Sequence, residues 1–100
     1  MYRRHIGNGE QRVKVGEKAW FLYVLRCADD TFYTGTTTDV SRRVNEHNTK
    51  KCGAKYTKTR RPVELIFWLD FENRSQAQKA EYKFKKLTRA QKEKIINEGR

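Results

Sequence analysis

The stretch Leu22-Tyr-Val-Leu-Arg-Cys-Ala-Asp-Asp-Thr-Phe-Tyr-Thr-Gly35 sets two tyrosines on either side of a short polar break. Upstream, residues 19–27 (AWFLYVLRC) are aromatic and β-branched, the composition of a buried strand, and residues 31–37 (TFYTGTT) read as its hairpin partner. The register depends on the turn. A two-residue turn at Asp29-Asp30 pairs Tyr33 with Arg26 and puts the tyrosines on opposite faces of the sheet. A three-residue turn, Ala28 to Asp30 with Asp30 left-handed, pairs Tyr33 with Leu25 and Tyr23 with Gly35, so both rings share one face. Aspartate tolerates the left-handed conformation better than most residues. Both registers stay open, but the second sets a glycine opposite Tyr23 and so leaves room above it for a site.

Downstream, Asp39 can cap a helix in which Val40, Val44 and His47 form one stripe. A basic loop follows with the sole proline, and then residues 63–71 (VELIFWLDF), apolar enough for a third strand inside the sheet. Ser75 is a candidate cap for a helix with Ala77, Ala80, Phe84 and Leu87 at helical spacing, and Thr88 caps a short last helix. The reading is an α/β (α+β) fold: a small three-stranded antiparallel sheet flanked by helices, in the order ββαβαα. Residues 1–18 read as a basic, flexible N-terminal arm and residues 19–100 as one domain.

The chain has 100 residues, 23 of them Lys or Arg against 12 acids, for a formal net charge of +11. Self-repulsion of that size costs a small fold stability, so it points to an anionic partner, nucleic acid before all others. A membrane partner is not expected, because no apolar run approaches the ~20 residues of a span. The cysteines, Cys27 and Cys52, form no CxxC pair, which suits a reducing, cytoplasmic setting. Together with His5 and His47 they lack the spacing of a zinc site.

Arg43 and His47 lie one turn apart beside the Val40/Val44 stripe, and Glu81 holds the corresponding edge of the later helix amid Lys79, Lys83, Lys85 and Lys86. An acid amid so much positive charge is unexpected on a surface meant only to hold phosphates. Arg43 could equally pair with Glu46, and Glu81 with Lys85, as solvated helix pairs. Between Val40 and Arg61 stand eight basic residues and one acid. Of these, Arg42, Lys50, Lys51, Lys55, Lys58, Arg60 and Arg61 are candidate phosphate contacts, with Tyr56 placed to stack on an unpaired base.

Taken in order, Phe21-Leu22-Tyr23, Tyr33-Thr34-Gly35, Arg43 and Glu81 resemble the two tripeptides, the arginine and the metal-binding glutamate of the GIY-YIG nuclease domain. Residues 19–96 are similar to its small standalone bacterial members, kin to the nuclease domains of UvrC and of structure-selective resolving nucleases. The chain departs from the family at Thr36, where many relatives carry lysine, at Glu93, where some carry asparagine, and at Asp30, where the turn usually carries glycine.

The resemblance implies a divalent-metal-dependent endonuclease that hydrolyses DNA phosphodiester bonds in repair or processing. It implies one magnesium or manganese ion on Glu81, with Tyr23, Tyr33, Arg43, His47 and Glu81 as the catalytic set. Tyr33 would orient or deprotonate the attacking water, with His47 the alternative acceptor, and Arg43 would brace the phosphate. Single-stranded or branched DNA stands ahead of plain duplex, RNA stays open, and a protein partner could supply targeting. The competing class is a non-catalytic module that binds single-stranded DNA or RNA, which leaves Glu81 unexplained.

Overall fold

The computed structural model describes residues 3–5, 19–49 and 53–99. Strands β1 (Arg3–His5), β2 (Trp20–Arg26), β3 (Phe32–Thr37) and β4 (Glu64–Phe71) form one antiparallel sheet in the order β1-β4-β2-β3. Helices α1 (Val40–Thr49), α2 (Lys55–Lys58), α3 (Arg74–Lys85) and α4 (Arg89–Glu98) complete it. The α+β fold and the ββαβαα order are those expected from the sequence. Two short elements add to it: β1, which pairs Arg4 with Leu69 on the outer edge of β4, and the single turn α2 inside the basic loop.

The hairpin takes the three-residue turn. Cys27 N donates to Thr31 O at 2.8 Å, Asp30 has φ of 67°, and the register pairs Tyr23 with Gly35 and Leu25 with Tyr33. Central strand β2 is buried on both faces, which is why its apolar run is unbroken. Leu22 and Val24 face α3 and α4, packing with Phe67, Ala77, Phe84 and Ile96. Phe21, Tyr23 and Leu25 face the other way, with Val40, Leu65 and Trp68. Cys27 joins this second core, where burial raises its thiol pKa.

The helix starts follow cap chemistry. The Asp39 carboxylate accepts from Arg42 N at 3.0 Å, and Thr88 forms a reciprocal capping box with Gln91. At α3 the cap is Asn73, which accepts from Gln76 N at 2.9 Å, and not Ser75 as the sequence suggested. Asn is as good a cap as Ser, and its position two residues earlier brings Arg74 and Ser75 into the first turn. Among the described residues no helix is long and apolar enough to cross a membrane.

Candidate active site

The shared face of the hairpin carries the site. Tyr23 and Tyr33 have ring centroids 6.3 Å apart, and His47, arriving from α1, lies 5.8 Å from Tyr23 and 5.1 Å from Tyr33. The space above Gly35 is not left open. A Cβ there would sit 2.6 Å from the Tyr23 hydroxyl, so the phenol itself occupies the room that the glycine makes.

Tyr23 is 1% exposed and His47 fully enclosed, so each polar atom needs a partner. The Tyr23 hydroxyl is 2.8 Å from His47 Nε2, and His47 Nδ1 is 2.8 Å from Thr57 Oγ1. The Thr57 hydroxyl donates to Ala54 O at 2.8 Å. Arg43, a donor only, is hydrogen-bonded to the Tyr23 oxygen. Arg43 donates to Tyr23, the Tyr23 and Thr57 hydroxyls bracket the two ring nitrogens of His47, and Thr57 donates to Ala54 O. The Ala54 amide donates to Nδ1 at 3.3 Å, so that nitrogen accepts.

The electrostatics agree with that polarity. Burial, then the cation of Arg43, push the His47 pKa down to about 4, so the ring is neutral and can accept. Burial, then Tyr33, hold the Tyr23 phenol well above the usual tyrosine range, with Arg43 opposing and Glu81 adding to the rise. Tyr33, Arg43 and Glu81 therefore all lie within electrostatic reach of one hydroxyl. Tyr33 and Arg43 remain half-buried and reachable from solvent, as does Glu81.

Both bland pairings are also present. Arg43 Nη1 meets Glu46 Oε1 at 2.9 Å, and Glu81 Oε2 meets Lys85 Nζ at 3.0 Å. The structure thus brings Tyr23, Tyr33, Arg43 and His47 together, while Glu81 comes from α3, which packs on the other face of the sheet, and reaches the Tyr23 hydroxyl only electrostatically. Tyr23 and His47 lie beneath the surface, and the other three border it.

The binding candidates divide. Arg42, Lys55 and Lys58 are exposed. Tyr56 stacks on Tyr33 with centroids 5.9 Å apart. Arg60 covers Tyr56 at 3.9 Å and pairs with Asp29 of the hairpin turn at 3.0 Å, while Arg61 Nε donates to the His47 carbonyl. Arg60 and Arg61 are thus engaged within the protein. Lys50 and Lys51 lie outside the described residues.

Three supporting residues escaped the sequence reading. Thr57 is fully buried and holds His47. Asn48 clamps the start of β4, donating to Val63 O at 3.1 Å and accepting from Val63 N at 2.7 Å. Gly53 lets the loop cross α1, since a Cβ there would meet the Glu46 carbonyl at 2.7 Å. The basic loop was read for charge, and its small polar members carry no charge to notice.

Among the described residues no three His, Cys, Asp or Glu side chains group to hold a metal. A lone, half-buried carboxylate such as Glu81 suits magnesium or manganese, which keep most of their waters.

Residues 19–94 match the family model described as the GIY-YIG catalytic domain, and the chain belongs to the GIY-YIG family. It is 55% identical over 80 residues to the UPF0213 protein YazA of Bacillus subtilis, covering 80% of each chain. With the UPF0213 protein DP2720 of Desulfotalea psychrophila it shares 44% over 86 residues, or 86% of this chain and 78% of the relative. The solution NMR structure of the protein EF2693 from E. faecalis aligns with TM-score 0.57 at 52% identity, covering 81% of this chain and 85% of that one. That of the UPF0213 protein BH0048 from Bacillus halodurans gives 0.52 at 39%, covering 79% and 83%.

Proposed function

We propose that this protein is a divalent-metal-dependent endonuclease that cuts DNA phosphodiester bonds, with single-stranded or branched DNA ahead of plain duplex, in DNA repair or processing in the cytoplasm. The observations that carry this reading are the match of residues 19–94 to the GIY-YIG catalytic domain and the placing of Tyr33 and Arg43 beside the Tyr23 phenol. A surface built only to bind phosphates has no use for the carboxylate. Magnesium or manganese held by Glu81 would neutralise charge on the scissile phosphate and stabilise the leaving oxygen when bound.

The protein's own groups have separable roles. Tyr33, half-buried and on the accessible side of the pair, orients the attacking water and relays its proton: the phenol oxygen takes it while its own hydroxyl proton passes to solvent, as the new P–O bond forms and the bond to the leaving oxygen breaks. His47 is less suited to that task, since it is enclosed and both ring nitrogens are already partnered. Its role is to hold the Tyr23 phenol, which in turn accepts from Arg43 and aims the guanidinium. Arg43 can then donate to the phosphate as charge develops. Lys55, Lys58 and Arg42 supply sequence-independent backbone contacts.

The test is a panel of end-labelled single-stranded, flapped, branched and duplex DNAs incubated with magnesium, manganese or chelator. Metal-dependent cutting of at least one form is expected, abolished by chelation while binding persists. Binding without cutting on every substrate and with either metal would instead identify a non-catalytic module.

A further inference from the structure

The outward face of α3 has no part in the core or in the site described above. Lys79, Tyr82, Lys83 and Lys86 recur at i, i+3, i+4 and i+7, so they form one stripe, and all four are exposed. Tyr82 is 64% exposed, the most open large hydrophobic side chain among the described residues. Lys86 Nζ lies 4.2 Å from its ring centroid. The ring also borders a shallow depression of about 320 Å³ with Ser75, Gln78, Lys79 and Lys83, so part of it faces open space. Glu81, the neighbouring residue and the only acid of α3, is paired with Lys85 and does not offset this charge.

Lys86 lies over one face of the Tyr82 ring, and much of the rest of that side chain stays open to solvent. An aromatic face among cations is what a single strand of nucleic acid uses: bases stack, and phosphates take the charge. We infer that the Lys79–Tyr82–Lys83–Lys86 stripe is a second contact surface for single-stranded DNA, with an unpaired base on Tyr82 and phosphates along the lysines. The inference goes beyond the nuclease reading: Glu81 stands two positions from both Lys79 and Lys83, on another side of the helix, so the stripe is a surface separate from the site. An acidic polypeptide would be drawn by the lysines but would not need the ring.

The test separates ring from charge, with binding measured by fluorescence anisotropy in chelator so that cutting plays no part. The probes are a labelled oligothymidylate of roughly 16 nucleotides and an abasic strand of equal length and charge. Tyr82→Ala should weaken oligothymidylate binding by about 5- to 100-fold and leave the abasic strand unchanged, while Tyr82→Phe binds both as the parent does. The triple change Lys79→Gln, Lys83→Gln, Lys86→Gln should flatten the log-log salt dependence by about 2 on both strands. Equal losses on the two probes, or no loss with Tyr82→Ala, would overturn the inference. So would a Tyr82→Ala variant that loses as much affinity for polyglutamate as for DNA. If the parent cuts no DNA yet the Tyr82 effect is found, this surface stands and the nuclease reading falls. If cutting is present and the Tyr82 effect absent, the reverse holds.

Discussion

The Tyr23 hydroxyl stands 2.8 Å from His47 Nε2 with both residues sealed from solvent, so the phenol on the β2–β3 hairpin is anchored to α1. Leaving a buried polar atom without its partner typically costs about 1–3 kcal/mol. Tyr23→Phe strands His47 Nε2, and the near-isosteric Thr57→Val removes the 2.8 Å partner of Nδ1, which keeps the Ala54 amide. Urea unfolding should show a loss of that size for Tyr23→Phe and a smaller one for Thr57→Val, with the fold retained. Parent-like stability in both variants would show that the chain of hydrogen bonds does not hold the site.

The same burial predicts how stability responds to acid. The folded pKa of His47 is depressed to about 4 from an ordinary value of 6.5. Below 6.5 the unfolded chain binds a proton that the folded protein refuses, so stability is full above that pH. It falls progressively as pH drops from about 6.5 toward 4, by on the order of 3 kcal/mol. Denaturation midpoints across this window should show the slope, and His47→Gln should flatten it. Equal slopes in parent and variant would contradict the assignment.

Gly35 offers a sharper steric test. An alanine Cβ would lie 2.6 Å from the Tyr23 hydroxyl and 2.7 Å from Cζ of the same ring, in a strand paired along its length. The ring must move, at a cost of about 1–3 kcal/mol, and Arg43 loses the acceptor that aims it. Gly35→Ala should therefore remain folded but lose cutting well beyond its loss of stability. Activity reduced only in proportion to the folded fraction would show that the Tyr23 position is unimportant.

Much of this arrangement was legible from residue types with local rules. Asp30, tolerant of positive φ, made the three-residue turn one of two open registers, and Asp39 and Thr88 marked helix starts. The apolar run of residues 63–71 announced that β4 lies inside the sheet. What escaped depends on tertiary contact. Nothing local shows that Thr57 turns inward to meet a histidine, that Asn48 clamps Val63, or that Arg60 is drawn back to Asp29. The α3 cap moved from Ser75 to Asn73 because both residues suit the position, and the strand's end decided between them. Glycine opposite Tyr23 was read as open space, although a long side chain can lie across the position it faces.

Charge in the basic loop should separate into binding and structural parts. Lys55→Gln with Lys58→Gln should leave stability within about 0.5 kcal/mol of the parent. It should also flatten the salt dependence of DNA binding by roughly 0.7–0.9 for each phosphate no longer neutralised. Arg61→Ala removes a donor from the His47 carbonyl and should cost stability, by about 1–3 kcal/mol. Paired unfolding and binding titrations would reveal any exchange of these two outcomes.

The central claim is that Tyr33, Arg43 and Glu81 cut DNA together, and single-turnover cleavage with saturating protein and magnesium tests it most directly. Glu81→Gln should abolish cutting, since the ion loses its protein carboxylate. Arg43→Ala should lose about 10²- to 10³-fold, the usual effect of deleting a preorganised donor. Tyr33→Phe keeps the ring, and with it the stacking on Tyr56, yet should lose about 10²-fold or more. All three should bind the substrate nearly as the parent does. A Tyr33→Phe variant that cuts normally while His47→Ala is inactive would transfer the proton to His47. Parent-like cutting by all three variants would contradict the account.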